Sequence, residues 1–474
     1  MSFPPFCHGG RHRLKFSPNP AAGDPANSIP AGRKPALATF MSAVMPSESP
    51  TQVRRQILIT ATLVAFLMYL DRICLANIIG SDSFQNDIQL APGQSDWVKL
   101  AFFWAYAIFQ VPAGWLSDRF GARVLITLYI AAWSLFTAAT SLATGFATLF
   151  VARLFCGLAE AGYYPAGSSL LTRWAHVESR GLASSVISWG GRVGGAVAPG
   201  LTAYVILSAG DWRWAGWIYG AAGVLVAAGF WKVFRDHPRE HPGCNAAEIS
   251  LLAEGRGDFL PVKDPPRRFP LRAACRSGNL WMANAVQFFT NIGWAFLVLS
   301  LSDYLKQAKH LDDQAAGWIT TAALSIGILA LPLGGALTDA ISRRKGRRLG
   351  RMLPMSLTKF AAAACYPLAL WTDSPWGMAA AFGLVAFFAD IGLPAMWTTM
   401  QDISGRHQAQ LFGWGNMWGN IGAGLMPLLF TAALRAYDTN HDYHEGVWLC
   451  AAAFVFAGLF ALGVNAEKPV VAES

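Results

Sequence analysis

The chain has 474 residues, is 54% hydrophobic, and is only 14% charged, with a net charge of +9. A soluble globular protein is about 25% charged, and apolar runs longer than a globular core needs exclude a string of soluble domains. No stretch interleaves basic and aromatic residues as a single-strand nucleic-acid binder does, so no nucleic-acid partner is expected.

Residues 1–50 are rich in Pro, Gly and Arg and hold no apolar core. No continuous hydrophobic region precedes a cleavage site, so this part reads as a disordered extension rather than a signal peptide, with Met41 and Met45 as alternative starts. From there, apolar runs follow one another to the end. Each is long enough to cross the roughly 30 Å hydrocarbon layer as a helix. Twelve spans are predicted, at 55–80, 95–117, 121–142, 146–172, 181–207, 213–235, 278–305, 314–340, 350–371, 376–403, 408–436 and 445–465. The chain thus divides into a six-helix half over 51–235, a central loop over 236–277, a second six-helix half over 278–465 and a tail over 466–474. The fold class is an all-α membrane protein with two pseudo-symmetric halves.

Basic residues gather on one side of this layout. They include Arg54 and Arg55 before span 1, Arg119 and Arg123 after span 2, Arg173 and Arg180 after span 4, Lys263 and Arg267 in the central loop, and the run Arg343 to Arg351 after span 8. The opposite loops carry mainly acids, among them Asp82, Asp87, Asp211, Asp373, Asp438 and Asp442. By the positive-inside rule both termini are cytoplasmic, in a multi-pass protein of the plasma (inner) membrane. The cysteines are scattered without a C-x-x-C, so they read as free thiols with no metal site. Histidines fall almost entirely in loops and tails, which argues against a histidine proton relay.

Asp71, Arg72, Arg153, Glu160 and Arg192 fall within the spans of the first half, and Lys359 and Asp390 within those of the second. Each costs roughly 2.5–3.5 kcal/mol at mid-membrane unless it pairs, meets water or binds something. Asp71 and Arg72 are neighbours on a helix, so they project about 100° apart and address different surroundings. Arg153 and Glu160 share one face of span 4, about two turns apart. Arg72 and Arg153 are suited to an organic anion, because guanidinium forks match a carboxylate. Asp71 and Glu160 are suited to carry a proton, since burial favours the neutral acid and a neighbouring arginine the charged one. Proton loss then lets the arginine re-pair and expel the anion. The competing expectation is a buried network that only orients spans 1 and 4.

Other residues are open to two readings. Arg192 is a third anion contact or a cap on a carboxylate. Asp390 pairs with Lys359, or Lys359 snorkels to the membrane edge. Gly190, Gly191, Gly194 and Gly195 imply a close helix approach by span 5. Asn416 and Asn420 lie four apart on one face of span 11 and suit hydroxyls or a carboxylate. Asp402 is expected at the interface.

The segment Gly114–Arg123, GWLSDRFGAR, closes span 2, and Gly334–Arg348, GGALTDAISRRKGRR, closes span 8. The same device in two six-span halves points to an internal repeat, typical of secondary transporters. The pattern of Gly114, Asp118, Arg119, Gly121 and Arg123 resembles the loop motif of the major facilitator superfamily. The second copy keeps Gly335 and Asp339 but has Ala340 at the basic position. The resemblance implies that these residues lock spans and gate access.

YLDR in span 1, RLFCGLAEAGYYPA in span 4, RDHPREHP after span 6 and GNMWGNIGAGLMP in span 11 resemble the anion:cation symporter family. That family includes hexuronate, galactonate and glucarate transporters and the sialic acid and vesicular glutamate carriers. Departures fall at Cys74 and at Ser300–Leu305. The resemblance implies proton-coupled symport of a small organic anion such as a hexuronate or aldonate. It implies Asp71 and Glu160 as coupling carboxylates, Arg72 and Arg153 as anion contacts, and Tyr106 and Gln287 as further substrate contacts. The coupling ion is H⁺, with Na⁺ as the alternative. No other cofactor is expected, and the partners are the substrate and the lipid bilayer, with the chain a monomer. A phosphate-binding loop and a metalloprotease helix are both missing, which argues against an ATP-driven pump and an enzyme. A voltage-driven facilitator or exchanger and a non-transporting sensor are the alternatives.

Overall fold

Lipid leaves a spanning chain few ways to satisfy its backbone, and the helix is the local one. In the computed structural model every regular element among the described residues is helical. The description covers residues 49–254, 268–307, 309–372, 374–437 and 444–471. The extension expected over residues 1–50, apart from its last two, lies outside the described residues, as do Lys263, Arg267, Asp373, Asp438 and Asp442.

Among the described residues, eleven helical stretches are long and apolar enough to cross a membrane. One of them, Gln314–Ala369, has 56 residues. As a straight helix it would measure about 80 Å, far more than one crossing needs. It breaks at Gly346, whose φ of 81° only glycine adopts readily. The break separates spans 8 and 9, so twelve spans result. Spans 1, 2 and 3 are Val53–Ile79, Gln94–Phe120 and Ala122–Thr140. Spans 5, 6 and 7 are Arg180–Ala209, Arg213–Val233 and Gly278–Leu299. Spans 11 and 12 are Gln408–Tyr437 and His444–Gly463.

Spans 4 and 10 are each broken. Span 4 is Phe146–Glu160 followed by Tyr163–Trp174, and span 10 is Pro375–Ile391 followed by Leu393–Ile403. A glycine marks each break, Gly162 or Gly392, and a proline follows in the next first turn, Pro165 or Pro394. Proline is tolerated there because a helix's first N–H groups have no partner within the helix.

The two halves pack by the same plan. Span 1 lies on span 5 as span 7 lies on span 11, and span 3 on span 6 as span 9 on span 12. Across the halves, span 2 meets span 11 and span 5 meets span 8. The glycines of span 5 do bring it against span 1: a Cβ at Gly194 would sit 2.1 Å from the Phe66 carbonyl oxygen. The counterpart is Gly422 of span 11, whose Cβ would lie 2.3 Å from the Phe288 carbonyl oxygen of span 7. Large apolar side chains such as Ile59, Leu207, Leu225 and Leu329 remain exposed on the outer surface, as a lipid-facing belt requires.

The central segment is tied to the first half. Asn245 caps the short helix Ala246–Ala253. From that helix Glu248 accepts from the backbone N–H of Arg54 (3.0 Å), the Arg54 guanidinium (3.0 Å) and the Thr51 hydroxyl at the start of span 1. Burial works against the charge on Glu248, but these hydrogen bonds outweigh it and hold its carboxyl below the usual range.

Candidate functional site

Asp71 and Arg72 do point to different places. Asp71 is fully buried behind span 1, where its Oδ2 accepts from the Trp133 indole N–H of span 3 at 3.1 Å. Its Oδ1 has no hydrogen-bond partner. Arg72 turns toward span 4 and donates from Nε (3.0 Å) and Nη2 (2.8 Å) to Glu160 Oε2. Its guanidinium lies 4.4 Å from the Tyr106 ring centre and 5.1 Å from that of Tyr69. Such a planar cation is well placed on aromatic faces.

Arg153 is different. It is 2% exposed, yet no carboxylate oxygen lies within 4.0 Å of it among the described residues. Its Nη1 reaches the Cys156 sulfur at 3.9 Å, its guanidinium lies 5.0 Å from the Phe102 ring centre, and its Nε is unpartnered. Cys156 Sγ also contacts Glu160 Oε1 at 3.8 Å. Spans 1, 3 and 4 thus enclose two carboxylates and two guanidiniums, with only one direct ion pair among the four. A buried polar group without a hydrogen-bond partner is costly, and the quartet leaves two such atoms, Arg153 Nε and Asp71 Oδ1.

Tyr106 is buried beside Arg72 and stacks on Phe102. Gln287 of span 7 is buried with its Nε2 unpartnered, against span 11 at Gly415, next to Asn416. Asn420 donates to the Asn416 carbonyl at 2.7 Å, a bond within its own helix, and both asparagines stay partly exposed. The polar groups of spans 7 and 11 therefore gather together. They are contributed by the half opposite the charged quartet.

The expected pairing of Asp390 with Lys359 is not what the structure holds. Arg192 of span 5 donates from Nη2 to Asp390 Oδ1 at 2.8 Å, and its guanidinium lies 4.0 Å from the Trp294 ring centre. Lys359 is fully buried and does not snorkel: its Nζ donates to the Ala389 carbonyl at 2.8 Å. The carbonyl sits one residue before the acid, so the ammonium is satisfied by backbone, leaving the carboxylate to the guanidinium from the other half. Asp402, expected at the interface, is buried at the end of span 10 between Arg180 (3.3 Å) and Arg351 (3.0 Å).

At the basic end of the bundle the two loop motifs do the same thing. Asp118, at the end of span 2, accepts from the backbone N–H groups of Ala409 and Gln410, both at 3.0 Å. These are orphan donors in the first turn of span 11. Asp339, at the end of span 8, accepts from Gly181 (2.9 Å) and Leu182 (2.8 Å) in the first turn of span 5. Each acid therefore caps a helix of the other half, at the end where the helix dipole is positive. Gly114 and Gly335 allow the approach, since a Cβ at either would fall 2.4 Å from an atom of the opposing helix. Arg119 takes no part in the cap; its guanidinium lies 5.3 Å from the ring centres of Trp115 and of Phe120. Arg123 stays on the side of the first half, donating to the Trp231 carbonyl while its backbone N–H donates to Asp236 at the start of the central loop. In the second motif Arg351, 1% exposed and 3.6 Å from Asp339, supplies the basic partner missing at Ala340.

The Major Facilitator Superfamily model matches residues 61–290 and 283–473. The chain belongs to that superfamily. It is a transporter of that superfamily rather than an enzyme. Within the superfamily it is similar to the "Probable galactarate/D-glucarate transporter GudP" of Bacillus subtilis (strain 168), with 28% identity over 89% of this chain and 94% of the relative. It is 26% identical to the "D-galactonate transporter" of Escherichia coli O6:H1 over 89% of this chain and 98% of the relative. The "Probable sulfoacetate transporter SauU" of Cupriavidus necator is also 26% identical, over 80% of this chain and 87% of the relative. Among solved structures, the superfamily transporter FucP in the outward conformation aligns with a TM-score of 0.65 at 15% identity, covering 85% of this chain and 98% of that one. A bacterial homologue of the lysosomal transporter Spinster aligns at 0.54 with 21% identity, covering 86% and 96%. These two likenesses carry the fold alone.

Several residues of this site have no sequence signal of their own. Trp133 and Cys156 touch the buried acids but read as ordinary apolar residues in spans 3 and 4. Arg351 sits in a run of basic residues, where nothing in the pattern separates the one buried arginine from its exposed neighbours.

Proposed function

We propose that this superfamily member is a proton-coupled symporter of a small sugar acid, working by alternating access. Arg72 and Arg153 hold the substrate carboxylate, and Asp71 and Glu160 carry the coupling proton. Tyr106, Gln287, Asn416 and Asn420 take its hydroxyls. The observation that carries this reading is Arg153, a buried guanidinium with no carboxylate partner among the described residues, next to the Arg72–Glu160 pair. A proton on Glu160 removes the charge that holds Arg72, which then turns to the arriving anion. Loss of the proton restores the pair and expels the anion. Charge is conserved through the exchange, and neither Arg72 nor Glu160 ends a step charged and buried without a partner.

The basic end faces the cytoplasm on this reading, and the caps made by Asp118 and Asp339 hold it closed. Sugar acids are favoured over other anions because the galactarate, glucarate and galactonate relatives span nearly the whole chain. The test is uptake of D-glucarate and D-galactonate by proteoliposomes under an inward proton gradient. Accumulation against the anion's own gradient is expected. Asp71→Asn and Glu160→Gln should abolish it while leaving counterflow exchange. Uptake that follows voltage with no proton flux would refute the symport reading.

A further inference from the structure

We infer that Arg192 and Asp390 form a second anion-exchange pair, which makes the preferred substrate a dicarboxylate. The inference rests on the site proposed above and adds a second binding point to it. The first observation is positional. Glu160 is two residues before Gly162, at the break of span 4, and Asp390 is two residues before Gly392, at the break of span 10. Spans 4 and 10 are the fourth helices of their halves. The two acids therefore occupy matching places in the repeat, each on the last turn before a glycine break followed by a proline.

The second observation is the partner. Each acid accepts a 2.8 Å bond from an arginine Nη2 on a different span, Arg72 for Glu160 and Arg192 for Asp390. Both arginines belong to the first half and lie on spans 1 and 5, which pack together. Tyr69 stands between them: its ring is 5.1 Å from the Arg72 guanidinium, and a Cβ on Gly191, beside Arg192, would lie 2.8 Å from its edge. Arg72 and Arg192 keep 12% and 17% side-chain exposure, whereas Glu160 and Asp390 keep 0% and 6%. The cations are thus the members of the pairs that a ligand reaches.

The third observation is that the second pair joins the halves. Arg192 belongs to span 5 and Asp390 to span 10, and the same two spans carry Arg180–Asp402 twelve residues away at the basic end. A substrate with anionic groups at both ends fills Arg72 with one and Arg192 with the other. Arg192 then lets go of Asp390, and a contact between the halves opens only when the second group is seated. A monocarboxylate engages only the end held by Arg72 and Arg153 and leaves that contact made.

The test uses D-glucarate and D-gluconate, which differ in whether the terminal carbon is a carboxylate, titrated calorimetrically into the purified full-length protein. Wild type should bind D-glucarate at least tenfold more tightly than D-gluconate. Arg192→Gln should erase most of that preference, and Arg192→Lys should restore part of it. Asp390→Asn removes the rival for Arg192 and should tighten D-glucarate binding, which keeps the test alive if Arg192→Gln fails to fold. Equal binding of the two acids by wild type, a preference that survives Arg192→Gln, or no tightening in Asp390→Asn each overturns the dicarboxylate inference while the proposed symport stands. Binding of neither acid overturns both.

Discussion

Asp118→Asn is the sharpest probe of how the halves are held together. The wild-type carboxylate accepts two backbone N–H bonds at 3.0 Å from the first turn of span 11. Hydrogen bonds to a charged group contribute about 1.5–3 kcal/mol each. The asparagine keeps one carbonyl oxygen, turns its NH₂ toward the other donor, and loses the charge that the helix dipole favours. A net loss of about 2 kcal/mol from the closed basic end corresponds to roughly a thirtyfold shift in the balance between closed and open forms. Because Asp339 makes the matching contact on span 5, Asp339→Asn should shift the balance by a similar factor, and the two together should roughly add. Spin labels at Lys232→Cys and Arg344→Cys, both exposed and on opposite halves, report the separation of the basic end once Cys7 and Cys275 are replaced by serine. Pulsed dipolar measurements should show a short distance in the parent and a growing long-distance population in each variant. Identical distributions in the parent, both single variants and the double variant would refute the view that these acids lock the halves.

Other outcomes test separate parts of the molecule. Arg153→Gln should weaken substrate binding by about ten- to a hundredfold, the worth of one charged hydrogen bond, with calorimetry as the readout. Gly194→Val forces a side chain into the Phe66 carbonyl of span 1 and should cost about 1–3 kcal/mol, seen as a lower melting temperature in detergent. Glu248 is held below its ordinary value of 4.5. Its contribution to stability is therefore full above that pH and is lost as pH falls through the lower folded-state value. Glu248→Gln should lower the melting temperature at pH 7 and remove that acid-range step, measured as melting temperature against pH.

The helices and their order were legible because lipid demands long apolar runs and nothing soluble mimics them. The boundary between spans 8 and 9 was placed in a basic stretch, and there Gly346 turns the chain. The internal repeat was visible in the two loop motifs. What the motifs do was visible only in part: the acid at that spacing implied a lock, but its target was a helix start in the opposite half, nearly three hundred residues away for Asp118. Pattern along one helix does not carry partners on another. For the same reason the sequence leaves Asp390 open to Lys359 of span 9, and Arg192 of span 5 open to either an anion or a carboxylate. Charge alone permits either pairing. Geometry decides it, because the ammonium already has the Ala389 carbonyl.

The seven charges in the middle of the spans become intelligible once counted by half. The first half holds Arg72, Arg153 and Arg192 against Asp71 and Glu160, and the second supplies Asp390 and Lys359. The first half alone carries an excess cation, and the pair across the interface balances it by borrowing Asp390. Lys359 then remains as the surplus positive charge of the whole set, fixed to a carbonyl. With all three acids ionised this set is therefore one charge short on the negative side, and the proton on Glu160 that precedes anion binding makes it two. A transporter that must release its cargo benefits from a small deficit rather than a large one, because each unpaired buried charge raises the energy of the empty state. Replacing Lys359 with methionine would remove that surplus while keeping the side chain's length, and should weaken the binding of every anion without changing preference between diacids and monoacids. Altered preference with unchanged affinity would place Lys359 in recognition instead of charge balance.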